Sequence, residues 1–137
     1  MVHALRQVHK LLQPNGRLIN VNDLPAPHLI EVHTPETIHR VGWLQDRDDF
    51  DDTRSAFNAL AQVVADGDFD LEDERDFDYN INVDDLPELL KWLAEWWSSA
   101  ILPDRIIKRL EGFFRDAPQP ARIVLRLRPR MTKLRAA

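Results

Sequence analysis

The first 23 residues constrain the fold most, because they combine a helical pattern, a tight turn and a strand pattern without a break. Apolar side chains recur at helical spacing between Ala4 and Leu12. Pro14 disfavours helical backbone at the residue before it, and Asn15-Gly16 supplies the two residue types that best tolerate positive φ. Residues 17–22 follow as a strand. A helix, a turn and a strand in this order are typical of an α/β fold.

Residues 29–44 admit two interpretations. Thr34-Pro35-Glu36 could begin a helix, with Thr34 as the N-cap and Pro35 at the first helical position. However, β-branched residues dominate both flanks, and Gly42 comes too soon for a stable helix. We therefore favour a β-hairpin whose turn lies near Pro35-Glu36.

The rest of the chain predicts three helices and further strands. In chain order they are a helix capped by Asp52 or Thr53 with Phe57, Leu60, Ala61 and Val64 on one face, one long or two broken strands over 69–83, a helix opened by the Asp85-Leu-Pro-Glu88 capping box, a helix from Pro103-Asp104 to an exit marked by Pro118 and Pro120, and a final strand, 122–128, that Pro129 ends. No repeat or linker divides these elements, so we expect a single domain over residues 1–137.

Composition restricts the function classes. No apolar run approaches the roughly 20 residues that span a bilayer, and charged residues interrupt the first helix, which argues against a signal peptide. The chain has no cysteine, so a disulfide framework, a thiolate metal site and a cysteine nucleophile are excluded. We expect a reducing, cytoplasmic location and no membrane partner.

Charge is distributed unevenly along the chain. Residues 46–90 carry sixteen acidic and three basic side chains, whereas residues 91–137 carry eleven basic and four acidic ones. We expect the acidic middle and the basic end to lie near each other and to neutralise each other in part. The basic residues interleave with apolar strand residues and lack aromatic partners, so nucleic acid is not an expected partner.

The segment from Ala4 to Val21 resembles a stretch of class I S-adenosylmethionine-dependent methyltransferases. In that family a helix ending in a basic-x-Leu-x-Pro-Gly-Gly pattern leads into the fifth strand of a sheet ordered 3-2-1-4-5-7-6. The matching residues here are Lys10-Leu-Leu-Gln-Pro-Asn-Gly16, with Asn15 in place of the first glycine. The resemblance implies a partial α/β fold, a three-layer half-sheet with the equivalents of strands 5, 7 and 6, helices, and the hairpin as an insertion.

The same resemblance shows what this chain lacks. The family binds its cofactor with a Gly-rich loop after strand 1 and an acidic residue after strand 2, because the backbone must approach the ligand closely and a carboxylate must bind the ribose. The chain has four glycines, none spaced as Gly-x-Gly. The resemblance therefore implies a C-terminal half without a cofactor site or catalysis of its own. An intact form would transfer a methyl group from S-adenosylmethionine to an acceptor.

Family residues that follow strand 5 often line the acceptor pocket. By position, the resemblance implies Asn22, Asp23 and Trp43 as candidates for that pocket. Without strand 4, the strand over 17–22 would expose an apolar edge. We expect the chain to cover this edge by forming a homodimer or a higher oligomer, through Leu18, Ile19 and Val21.

Trp96 and Trp97 are adjacent, so both cannot point into one small core. Core packing, an oligomer interface and a substrate pocket are all open to them, and we include both in the predicted interface. The alternative to a methyltransferase fragment is a small non-enzymatic interaction module that self-associates. Its basic end and its tryptophan pair would bind a protein or a polyanion.

Three further sequence patterns resemble metal or catalytic sites only in part. His33 and His39 could face each other across the hairpin with His28 near, but surface positions are favoured over a metal site, because no carboxylate stands beside them at a ligand spacing. Asp66-x-Asp68-x-Asp70 begins like a calcium loop that the following residues do not complete. Ser98-Ser99 lacks the sequence context of a nucleophile. We therefore predict no catalytic, cofactor-binding or metal-binding residue in this chain.

Overall fold

The computed structural model describes residues 1–116 and 120–137. This part of the chain is a mixed α/β structure with four helices and two antiparallel sheets, of three and five strands. The elements are α1 Val2–Leu11, β1 Arg17–Asp23, β2 His28–His33, β3 Ile38–Asp46, α2 Asp51–Ala65, β4 Phe69–Asp76, β5 Tyr79–Val83, α3 Leu86–Trp96, β6 Ala100–Ile101, α4 Asp104–Asp116, β7 Arg122–Leu127 and β8 Pro129–Ala136. Within the described ranges, none of the helices has the length and apolar character needed to cross a bilayer.

Contacts within the chain divide it into two compact units. Unit 1 comprises residues 1–25, 50–77 and 128–137, and unit 2 comprises residues 26–49 and 78–127. Each unit combines segments that are distant in sequence, and the sequence pattern indicated no linker between domains. The expectation of a single domain over 1–137 rested on that missing linker, and it stays a prediction.

Unit 1 contains the three-stranded sheet, in the order β1-β8-β4. β8 runs antiparallel to both neighbours, with Arg17 opposite Arg135 and Phe69 opposite Ala136. Because β8 opposes both, β1 and β4 are parallel to each other. The core under this sheet joins side chains of α1 and α2 to side chains of β4 and β8, namely Leu5, Ala59, Leu60, Val63, Phe69, Leu134 and Ala136.

The predicted turn between α1 and β1 is present, and its two central residues have different tasks. Asn15 adopts the left-handed conformation, with φ at 62°. Gly16 is required by space, because a Cβ there would lie 2.8 Å from the carbonyl oxygen of Gln13. The amide of Gly16 donates a hydrogen bond of 2.7 Å to that same oxygen.

Unit 2 contains the five-stranded sheet, in the order β5-β7-β2-β3-β6. The predicted hairpin is confirmed, since β2 and β3 pair antiparallel and the amide of Thr34 donates to the carbonyl of Thr37 across the turn at 2.9 Å. A register irregularity lies between Ile30 and Glu31. The helices α3 and α4 pack on the sheet face that carries Ile30 and Val32 and form the core with Leu89, Leu93, Ile106, Leu110, Ile123 and Leu125.

The start of α2 differs from the prediction. Phe50 is the N-cap, in a left-handed conformation and without a side-chain hydrogen bond, so Asp52 and Thr53 lie inside the helix. The buried face is also rotated, because the small residues Ala56 and Ala59 pack inward while Ala61 is exposed.

The last strands also differ from the prediction. Residues 122–127 form β7 of unit 2, and a further strand, β8, follows it. Pro129, which was predicted to end the final strand, is the first residue of β8. Proline is compatible with the first position of a strand because its missing N–H is not needed there. The region 69–83 is two strands that belong to different sheets. Pro118, predicted to mark the exit from the last helix, lies outside the described residues.

The predicted capping box is confirmed at α3. The amide of Glu88 donates to Oδ1 of Asp85 at 2.9 Å. The Glu88 carboxylate in turn accepts from the amide of Asp84 at 2.6 Å, one residue before the cap.

Candidate functional site

Asn22 and Asp23 occupy the last two positions of β1, in unit 1. Asn22 is half-buried and donates from Nδ2 to Oδ1 of Asn20 at 3.1 Å, whereas Asp23 is exposed. Nδ2 of Asn20 and Oγ1 of Thr132, which face each other across β1 and β8, are buried without a hydrogen-bond partner. Polar side chains therefore line the carboxyl end of β1 on its half-buried face.

Trp43, the third predicted pocket residue, lies on β3 in unit 2. It pairs with Leu29 across the hairpin, and its side chain is 53% exposed. The three predicted pocket residues thus belong to two different units, and their assignment to one acceptor pocket stays a prediction.

The predicted interface strand β1 has one paired and one free edge among the described residues, because β8 is its only partner strand there. Leu18 points to the helices and packs against the unit 1 core. Ile19 and Val21 point to the other face, where they are 59% and 53% exposed. In this part of the chain, β1 therefore combines an unpaired backbone edge with two exposed apolar side chains on one sheet face.

The two adjacent tryptophans have different environments. Trp96 is 70% exposed, whereas Trp97 packs against the unit 2 core. The indole Nε1–H of Trp97 donates to Asp46 at 2.6 Å, and its ring meets the His28 ring edge-on at 5.0 Å. Of the pair, Trp96 is the residue with a surface free for an interface.

Ser99 is held by the same carboxylate as Trp97. Its hydroxyl donates to Oδ2 of Asp46 at 2.7 Å, and its carbonyl accepts from the amide of Arg47 at 2.8 Å. A serine hydroxyl that donates directly to a carboxylate, with no histidine between them, lacks the base-relay geometry of a nucleophilic serine. These bonds instead fasten the short strand β6 to the end of β3.

The acidic and basic parts of the chain meet in the sheet of unit 1. The acidic strand β4 lies beside the basic strand β8. Arg130 donates two hydrogen bonds to Asp76, at 2.6 and 3.1 Å, and Arg135 donates to Asp70 at 2.7 Å. The expected neutralisation of the two charged regions is thus confirmed for these strands.

Two carboxyl groups of β4 are affected by these contacts. Hydrogen bonds from Arg17 lower the pKa of Glu72 below its ordinary value of 4.5, and Lys133 adds to the effect. A hydrogen bond from Arg130 likewise lowers the pKa of Asp76 below 3.8. Both groups lie on the strand that borders the central β8.

The Asp66-x-Asp68-x-Asp70 pattern is used for ion pairs. Arg6 of α1 donates to Asp68 at 2.8 Å and to Asp66 at 2.6 Å, and Arg135 takes Asp70. Across residues 1–116 and 120–137, no group of three or more histidine or carboxylate side chains is arranged to hold a metal ion.

The histidines of the hairpin do not face each other. His33 pairs with Ile38 and His39 pairs with Val32, so their side chains leave opposite faces of the sheet. His39 stacks on Phe113 of α4 with a ring separation of 4.9 Å. The prediction of facing histidines was therefore wrong by one position of strand register.

His33 instead contacts a carboxylate, Glu31, that the sequence pattern did not assign to it. Glu31 lies two residues before it on β2 and is 2% exposed. Oε1 of Glu31 is 3.1 Å from Nε2 of His33 and 3.5 Å from Nη1 of Arg126. Residues two apart on a strand share a face, so the spacing alone could have indicated this pair.

His33 also lines a cleft in unit 2, at the end of the sheet where the hairpin turns. The cleft has a volume of about 760 Å³. Thr34, Thr37 and Ile38 form its hairpin side, and Asp84, Pro120, Ala121 and Arg122 form its other side. The structure thus places an imidazole that contacts a buried carboxylate at the wall of a cleft large enough for a small molecule.

Comparisons of the chain with models of protein families, with curated proteins and with solved structures find no match.

Proposed function

We propose that unit 1 is the C-terminal part of a class I methyltransferase sheet, with β1, β8 and β4 as the equivalents of strands 5, 7 and 6. The observation that supports this assignment is the sheet order β1-β8-β4, with β8 antiparallel between two mutually parallel strands. The family order places strand 7 between strands 5 and 6 in the same way. The α1-turn-β1 segment that carries the sequence resemblance leads directly into this sheet.

In this assignment unit 2 is an insertion in two pieces. Residues 26–49 follow the strand 5 equivalent, and residues 78–127 follow the strand 6 equivalent. The hairpin predicted as an insertion belongs to the first piece. Asn22 and Asp23, at the carboxyl end of β1, and Trp43 in the first piece are the proposed acceptor-side residues.

The proposed activity belongs to an intact form that also contains the cofactor-binding half of the family fold. Methyl transfer from S-adenosylmethionine to an acceptor requires a Gly-rich loop for the cofactor, and residues 1–137 contain no Gly-x-Gly spacing. We expect residues 1–137 alone to bind no S-adenosylmethionine and to transfer no methyl group.

Isothermal titration calorimetry tests this proposal in two arms. Residues 1–137 titrated with S-adenosylmethionine should give no binding heat. A second chain, extended by the in-frame sequence encoded upstream of Met1, should contain a Gly-rich strand–loop–helix and bind the cofactor. A version of that extended chain with its loop glycines changed to valine is the control. Tight binding by residues 1–137 alone, or an upstream sequence without such a loop, would contradict the proposal.

The alternative is a self-associating interaction module, and one observation favours it. β1 has an unpaired backbone edge among the described residues, and it exposes Ile19 and Val21 on one sheet face beside that edge, so a second copy of the chain could pair with the edge and cover both side chains. Both hypotheses predict self-association, so the sequence encoded upstream of Met1 distinguishes them: an interaction module would have no in-frame Gly-rich strand–loop–helix there.

A further inference from the structure

We propose that the cleft at the hairpin end of unit 2 is a proton-transfer site for a small phenol, with His33 as its general base. The proposal uses unit 2 alone, so it holds whether or not unit 1 belongs to a methyltransferase.

The tautomer of His33 follows from its partner. An ionised carboxylate only accepts hydrogen bonds, so the contact at 3.1 Å places the imidazole proton on Nε2, toward Glu31. Nδ1 then carries the free lone pair and acts as the base. This carboxylate–imidazole arrangement fixes the ring and stabilises the imidazolium that forms when Nδ1 takes a proton.

Glu31 is suited to this positioning role because it is buried and further paired. Arg126 approaches its carboxylate at 3.5 Å from the neighbouring strand β7. Leu29, Glu31 and His33 share the sheet face opposite to α3 and α4, since successive strand residues alternate between faces. The site therefore stands on two paired strands rather than on a loop.

Arg122 supplies the second half of the chemistry. It lies directly opposite His33 in the β2–β7 register, on the same sheet face, and it lines the same cleft. Cross-strand neighbours have Cβ atoms about 5 Å apart. A hydroxyl bound between them can give its proton to Nδ1 of His33, while the oxyanion left behind is stabilised by the guanidinium of Arg122.

The shape and lining of the cleft favour an aromatic hydroxyl compound. Pro35, Ile38, Pro120 and Ala121 provide apolar contact for a ring, and the volume of about 760 Å³ is ample for one. The pKa of a phenol is much closer to that of an imidazolium than the pKa of an aliphatic alcohol is. A phenol can therefore pass its proton directly to the imidazole, whereas an aliphatic alcohol cannot. The step is balanced: the O–H bond breaks, its electron pair stays on oxygen, and the proton moves to Nδ1.

Two exposed carboxylates, Glu36 and Asp84, also border the cleft. Both would oppose an oxyanion placed next to them. The oxyanion position is therefore assigned to the Arg122 side of the cleft.

The experiment uses 4-nitrophenol, whose yellow phenolate is measured by absorbance. Full-length protein is titrated into the probe at a pH where most of the probe is protonated. Absorbance of the phenolate should rise and saturate, and His33→Gln and Arg122→Gln should each weaken this binding about tenfold, the size of one charge-assisted hydrogen bond. His3→Gln, at an exposed histidine of α1 in unit 1, is the matched control and should bind like the unchanged protein.

Three results would overturn the proposal. The first is no saturable phenolate signal with the unchanged protein, and the second is an equal loss in the His3→Gln control. The third is a nitrogen-15 NMR spectrum in which Nδ1, not Nε2, of His33 carries the proton. Far-ultraviolet circular dichroism of each variant verifies that it is folded, and Glu31→Gln should change the His33 tautomer signal.

Discussion

At the residue scale, Gly42 shows how closely β3 approaches α4. A Cβ added at this position would overlap Cδ1 of Ile106, a core residue that is almost fully buried. Gly112 of α4 is different, because the nearest atom to a Cβ there is 3.8 Å away, at the end of the Arg115 side chain. The two glycines therefore have opposite consequences for stability.

Gly42→Ala should lower the free energy of unfolding by about 1–3 kcal/mol, the usual cost of overpacking a closely packed core. Gly112→Ala, as the matched control, should raise it by about 0.5–1 kcal/mol, because alanine restricts the unfolded chain and favours helix. Urea unfolding followed by tryptophan fluorescence measures both. An unchanged midpoint for Gly42→Ala would show that β3 and α4 are less closely packed than described.

The surroundings of His33 could be predicted from the sequence only in part. The hairpin turn near Pro35-Glu36 was correct, and that turn places His33 opposite Ile38 and His39 opposite Val32. An offset of one residue changes the face on which a side chain lies, and the expected facing histidines depended on that offset. The burial of Glu31 could not be predicted, because it depends on strands that are distant in sequence.

At the element scale, the pairing of β4 with β8 determines how unit 1 responds to pH. The pKa of Glu72 is lowered in the folded protein by Arg17 and Lys133. A lowered folded-state pKa means that the group contributes stability above its ordinary value of 4.5 and loses that contribution as the pH falls through the folded-state value. Asp76 acts in the same direction through Arg130.

Glu72→Gln should therefore reduce the sensitivity of the protein to acid. The urea midpoint of the unchanged protein should fall between about pH 5 and pH 3, and that of Glu72→Gln should fall less. Glu36→Gln, in the exposed turn of the hairpin, is the control and should follow the unchanged protein. Parallel curves for all three proteins would mean that the Arg17–Glu72 contact is absent in solution.

Element boundaries were less predictable than element types. The N-cap of α2 was misplaced because Asp52 and Thr53 are favoured capping residues, whereas Phe50 caps through a left-handed backbone that its residue type does not indicate. The last strand was not predicted because proline usually ends a strand. In the structure Pro129 is the first residue of β8, opposite Asp23, a position where the strand does not require a backbone N–H donor.

At the scale of the whole molecule, the free edge of β1 leads to a test of self-association. We expect light scattering after size exclusion to show a dimer or a larger species at high concentration. Ile19→Lys combined with Val21→Lys should shift the protein to monomer, because lysine on an edge strand opposes pairing between chains. Ile38→Lys, an equally exposed position on β3 in unit 2, should leave the assembly unchanged. A strict monomer at every concentration would contradict the expectation.

The central position of β8 has a consequence for how the newly made chain folds. Asp23 of β1 faces Pro129 of β8, about a hundred residues later in the chain. At ribosomal rates of 5–20 residues per second, roughly ten seconds pass between the synthesis of the two strands. Throughout that interval β1 lacks its partner strand, and so does β4 once it has been made, so both expose backbone donors and acceptors. We therefore expect a chaperone that binds exposed strands to protect these segments of the nascent chain until β8 has been made.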